Sequence, residues 1–143
     1  MPAITFHEED IAYKLNNKTA VRKWITDTIV NEGFDLEELT YVFCSDEYLL
    51  QINRQYLDHD TYTDIITFDN SDVKGLIIGD IFISIERVKE NAVKFGVTTG
   101  HELNRVMIHG ALHLLGYKDK SPADKKKMTL KEDEYLGKRD FNS

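Results

Sequence analysis

At 143 residues, 41% hydrophobic and 30% charged, the chain has the size and balance of one globular domain, not of a disordered segment. The formal net charge of −7 argues against broad nonspecific nucleic-acid binding, which draws on many Lys and Arg contacts to phosphate. No apolar run approaches the ~20 residues that cross a bilayer, so no membrane association is expected. Charge is uneven. Residues 1–117 carry a net of −9 and residues 118–143 a net of +2, with Lys118, Lys120, Lys125, Lys126 and Lys127 crowded together. That basic lip suits a polyanionic substrate and equally suits a solvated helix face.

The opening M-P-A-I-T-F-H-E-E-D lacks the basic and apolar regions of an export signal. A single cysteine, Cys44, forms no internal disulfide and reads as a small buried hydrophobe on a strand, so a reducing cytoplasm is expected. A short strand at residues 3–6 comes first. Val21, Trp24, Ile25, Thr28 and Ile29 then recur with the spacing of an amphipathic helix ended by Gly33. Residues 40–44 (T-Y-V-F-C) read as a strand. Asp46 is expected to cap a helix carrying Leu49, Ile52 and Tyr56. Residues 64–68 and 76–85 are two more strands around a turn-like D-N-S-D-V-K-G. Ser84 opens a helix through Val88, Ala92 and Phe95, stopped by Gly96. Asp80 inside its apolar strand reads as a paired structural anchor, and Thr63 and Asp64 as turn formers. His7 and His101 read as surface residues.

Thr99 and Glu102 have the spacing of a capping box for the next helix. Leu103, Val106, Met107, Gly110 and Leu114 make one apolar stripe on it, and Ile108, Leu112 and Leu115 a second, so this helix is expected to be central and buried. It ends in H-G-A-L-H-L-L-G-Y-K-D, residues 109–119. His109 and His113, four apart, project from one face and suit a single metal ion. Gly116 can end the helix at positive φ, and the turn brings Asp119 back as a third ligand. Two nitrogens and one carboxylate leave a fourth position open, the layout of a catalytic zinc site. Ser121, Pro122 and Asp124 open a last helix, with Pro122 at its first position and Met128 in its core face. The sum is an α+β domain: a small mixed four-stranded sheet, about five helices, and a central helix bearing the histidines.

The ligand spacing also matches the metzincin proteases, but their general-base glutamate falls on Gly110. A closer match covers most of the chain. Residues 109–119 resemble the H-G-x-L-H-L-x-G-Y-D-H signature of the YbeY family of endoribonucleases. Residues 53–68 resemble that family's N-x-x-Y-R-x-x-D-x-x-T-D-V-L-S-F stretch, and residues 78–84 its L-G-D-I-x-I-S strand. The resemblance implies a zinc-dependent endoribonuclease of ribosomal RNA maturation and small-subunit quality control, with one Zn²⁺ held by His109 and His113. It implies the small ribosomal subunit as partner, together with ribosomal-protein or assembly-GTPase contacts. Two departures stand out. Asp119 replaces the family's third histidine, after Lys118 in place of Asp, which lowers the net charge of the site from +2 to +1. Leu57 replaces an arginine suited to phosphate. Arg54 or His59 is expected to fill that space, with Lys118 and Lys120 contacting phosphates. No general acid or base is identified. Two further readings stay open: a ribosome assembly factor whose metal is structural, and a metalloprotease-like hydrolase.

Overall fold

The computed structural model describes residues 3–141. Strand β1 (Ile4–Glu9) runs to helix α1 (Lys18–Asn31) and then to β2 (Asp35–Cys44), which lies parallel to β1. Helix α2 (Asp46–Leu57) precedes β3 (Ile65–Asp69) and β4 (Leu76–Ser84), an antiparallel pair. Helices α3 (Ile85–Phe95), α4 (Thr99–Leu114) and α5 (Pro122–Leu136) complete the chain. Because β4 also pairs in parallel with β2, the sheet is mixed, in the order β1–β2–β4–β3. The expected α+β architecture of four strands and five helices is therefore present among the described residues.

Alternation along the strands builds two unequal cores. Ile77, Ile81 and Ile83 of β4 join Leu39, Tyr41 and Phe43 of β2 in the main core, with apolar residues of α1, α3, α4 and α5. Phe82 points the other way, to a smaller cluster of Cys44, Ile66 and Leu49 beneath α2. The five residues of the α1 stripe are all buried, as their spacing predicts. Strand β2 is longer than its apolar stretch indicates. Its first half, Asp35 to Glu38, is mostly exposed and interrupted by a register shift, so polar residues hide its strand character.

Two capping expectations are corrected. Asp46 is the first residue of α2, not its cap: Ser45 accepts the Tyr48 amide at 3.1 Å, and the Asp46 carboxylate instead takes Arg87 Nε at 3.0 Å. Thr98 rather than Thr99 caps α4, accepting the His101 amide at 3.0 Å, which puts Glu102 one position past the reach of a capping box. Tyr56 and Phe95, expected on buried faces, are each 60% exposed. His101 is half-buried beside Arg139, not at the surface. Asp80 is half-buried and accepts from Asn70 Nδ2 at 2.9 Å, a structural anchor.

Helix α4 is buried along both apolar stripes and crosses β3 and β4 at close range. Gly110 makes that approach: a Cβ there would stand 2.9 Å from Ile65 Cδ1 and 3.0 Å from Ile81. The close approach fixes the distance between the histidine-bearing helix and the strand start at Thr63 and Asp64. No helix among the described residues is long and apolar enough to cross a membrane.

Candidate metal centre

Helix α4 ends in a paired hydrogen-bond closure. Gly116 takes φ +104°, its amide donates to His113 O at 3.0 Å, and the Tyr117 amide donates to Leu112 O at 3.2 Å. This reversal needs the left-handed backbone that glycine adopts without penalty. The Tyr117 hydroxyl then donates to Glu32 Oε1 at 2.5 Å, and Glu32 also accepts from Lys131 Nζ at 3.2 Å and from the Tyr135 hydroxyl. The turn is thereby tied to α1 and α5, and it returns Asp119 to the helix it just left. Asp119 Oδ2 lies 3.3 Å from His109 Nε2.

The other ring nitrogen, Nδ1, stands 2.6 Å from Oε2 of Glu132, a buried carboxylate on α5. A carboxylate only accepts, so Nδ1 carries the proton and Nε2 faces Asp119. Glu132 Oε1 is occupied by Arg105 Nη1 at 2.8 Å, and Arg105 Nη2 reaches Asp133 at 2.9 Å. Burial opposes a charge on His109. The Glu132 hydrogen bond and the Glu132, Asp119 and Asp64 charges outweigh it, raising its pKa above the ordinary value. The Asp119 carboxylate thus favours the protonated form of the imidazole it faces. A metal ion at Nε2 would compete with protonation there.

Two of the three expected donors have the spacing zinc requires. Ligands about 2.0–2.1 Å from a tetrahedral zinc stand about 3.3 Å apart, and His109 Nε2 and Asp119 Oδ2 are separated by 3.3 Å. Glu132 supplies the outer carboxylate that metal-bound histidines use to fix their tautomer. His113, one turn further along α4, is exposed and opens into a neighbouring cleft. No three His, Cys, Asp or Glu side chains are grouped around one point among the described residues. The fold therefore assembles His109 with Asp119 and leaves His113 on the same helix, unlocked by packing.

Two clefts of about 340 Å³ meet at Thr63 and Ile65. The first holds His109, Asp119, Glu132, Arg105, Asp64 and Glu102. Its carboxylates outnumber its cations, and Arg105 is already engaged by two of them, so a phosphate enters only alongside a bound cation. The second cleft is lined by His113, His59, Leu57, Asn53 and the threonines at 61, 63 and 67, with no lysine or arginine. His59 thus reaches the expected place. Arg54 does not: its guanidinium is turned to Asp60 and lines neither cleft. Lys118 and Lys120 are exposed on the turn, and Lys118 lines a separate depression with Tyr117 and Lys127. A further depression of about 250 Å³, lined by Lys23, Trp24, Asn31 and Tyr135, has its polar groups satisfied by one another.

Motif reading gave Asp64 and Glu102 only local backbone roles, and it passed over Arg105 and Glu132. Glu102, Arg105 and His109 share one face of α4 by their i, i+3, i+7 spacing, a usable signal. Glu132 lies 23 residues from its partner His109 and carries none.

Comparisons with known proteins identify the family. The sequence model described as Endoribonuclease YbeY matches residues 3–140. The chain belongs to the YbeY endoribonuclease family. A YbeY endoribonuclease of Cytophaga hutchinsonii is 55% identical over 138 residues, 96% of each chain. One from Bacteroides thetaiotaomicron is 43% identical over 96% of this chain and 99% of its own. A solution structure of a Thermotoga maritima protein superimposes with TM-score 0.63 at 27% identity, covering 93% of this chain and 86% of that one. The YbeY resemblance noted in the motifs thus extends over nearly the whole length.

Proposed function

We propose that this chain is a zinc-dependent endoribonuclease that acts in the cytoplasm on ribosomal RNA, in its maturation and in small-subunit quality control. The observation that carries the reading is His109, held between Glu132 and Asp119 with Nε2 turned to the cleft. The name Endoribonuclease YbeY, borne by its relatives, supplies the substrate class. His109, His113 and Asp119 hold one Zn²⁺. When bound, the ion lowers the pKa of water and polarises a phosphoryl oxygen.

The remaining work falls to the chain's own side chains. Glu132 fixes the His109 tautomer, and Glu32, through Tyr117, holds the turn that carries Asp119. Lys118 and Lys120 meet phosphates flanking the scissile bond, and the neutral second cleft receives the adjoining nucleotide near His59. The small ribosomal subunit is the partner, with a ribosomal protein or an assembly GTPase as further contacts.

One observation favours a rival reading, a ribosome assembly factor with a structural metal: Leu57 and Arg54 leave the second cleft without a cation. The protease reading loses ground, because the face of Gly110 is pressed on Ile65 and Ile81 and has no room for a glutamate. Zinc analysis with an RNA-cleavage assay of wild type and His113→Ala decides. The nuclease reading expects about one zinc per chain and cleavage abolished by chelator and by the variant, with the fold intact. Folded, zinc-loaded wild type that cleaves no RNA would establish the assembly-factor reading instead.

A further inference from the structure

Glu102 stands in the first turns of α4, on the face that also carries Arg105 and His109. The residue is only 5% exposed, yet its carboxyl has no hydrogen bond or ion pair with any described residue. No fully buried side-chain atom among the described residues lacks a partner, so the small exposed part of Glu102 includes that carboxyl, opening on the cleft of His109 and Asp119. A carboxyl confined to so narrow an opening, with no direct hydrogen-bond partner, loses part of its hydration, which the Arg105 charge offsets without contact. Such groups mark sites where chemistry, not folding, sets the residue.

The groups facing it come from three elements: Arg105 on α4, Asp64 at the start of β3 and Glu132 on α5. Burial raises the Glu102 pKa. Arg105 and the positive end of α4 work the other way, while Asp64 and Glu132 add to the rise. Seven residues along a helix separate Glu102 from His109 by about 10 Å of axial rise, enough for a phosphodiester to lie between them. In-line displacement needs its two assisting ends on opposite sides of phosphorus.

We propose that Glu102 is the proton donor of RNA cleavage, protonating the leaving oxygen of a phosphodiester seated between it and His109. The proposal rests on the endoribonuclease reading. As the entering oxygen, from water or the neighbouring ribose 2′-hydroxyl, bonds to phosphorus, the bond from phosphorus to the 5′-oxygen breaks. Its electron pair stays on that oxygen, which takes the Glu102 proton. The proton of the entering oxygen passes to solvent, and Glu102 regains one from solvent before the next turnover.

The test compares wild type and Glu102→Gln on an RNA oligonucleotide and on a nitrophenyl ester of a nucleoside 3′-phosphate, whose leaving group needs no proton. RNA cleavage should fall by about 10²–10⁴-fold, while ester cleavage stays within several-fold and zinc content is unchanged. Glu102→Asp, which keeps an acid, should recover part of the RNA cleavage. The urea midpoint of Glu102→Gln should equal or exceed that of wild type. Equal loss on both substrates, no loss on RNA, or unfolding of the variant would overturn the proposal. Zinc-loaded wild type inactive on RNA would overturn the endoribonuclease reading itself, and this proposal with it.

Discussion

Glu132→Gln isolates the contribution of the carboxylate behind His109. The substitution keeps the side chain's length but removes the charge that accepts from His109 Nδ1 at 2.6 Å and from Arg105 at 2.8 Å. Arg105 retains Asp133 at 2.9 Å, so the variant should fold. Outer carboxylates of this kind contribute about 10–100-fold to metal affinity, or about 1.4–2.7 kcal/mol. Zinc Kd, measured by competition with a chromophoric chelator, should rise by that factor at alkaline pH. The pH dependence adds a second check. Zinc competes with a proton at Nε2, and in wild type His109 holds that proton to a higher pH than an ordinary histidine. Wild-type affinity therefore begins to fall at a higher pH as the solution is acidified. The variant, without the Glu132 contribution, keeps its affinity to lower pH, so the gap between the two should narrow on acidification. Equal affinities across the whole range would refute the orientation argument, and with it His109 as a ligand backed by Glu132.

Asp119→Ala should weaken zinc binding, because two histidines alone hold the ion poorly, whereas Asp119→His should retain it; metal content after gel filtration separates ligand from bystander. Gly110→Ala should lower stability by about 1–3 kcal/mol through overpacking against Ile65 and Ile81, read as a shifted urea midpoint at unchanged slope. Leu57→Arg should tighten RNA binding and steepen log Kd against log salt by about 0.7, the contribution of one phosphate contact to a single strand. An unchanged slope would mean that residue 57 does not face the RNA.

The sequence made the elements legible where one residue type had one physical use. The α1 stripe, the Ser84 and Ser121 caps, Pro122 and the Gly116 turn each satisfy a local backbone or burial demand, and each stands where its spacing implies. Capping was harder to read where two candidates adjoin. Thr98 and Thr99 are chemically equal, and the choice follows from where the chain leaves α3. The pairing of His109 with Asp119 was readable because a helix and one turn join them, and no long-range information is needed.

The rest of the site depends on the tertiary path. Glu132 meets His109 only because α5 packs along α4, and Asp64 joins the cleft only because Gly110 lets α4 settle on β3 and β4. Arg54 shows the opposite failure: sequence proximity to Leu57 suggests a substitute cation, but the loop after α2 offers Asp60, and the guanidinium pairs there. The same logic bears on Leu57. Without a cation in the second cleft, and with Arg105 committed to Glu132 and Asp133, a zinc ion held as proposed would be the strongest charge available to a phosphate near His109. If zinc binds as proposed, its removal by chelator should therefore cost RNA binding as well as turnover, and Leu57→Arg should weaken that coupling; RNA Kd unchanged by chelation in the wild type would refute the argument.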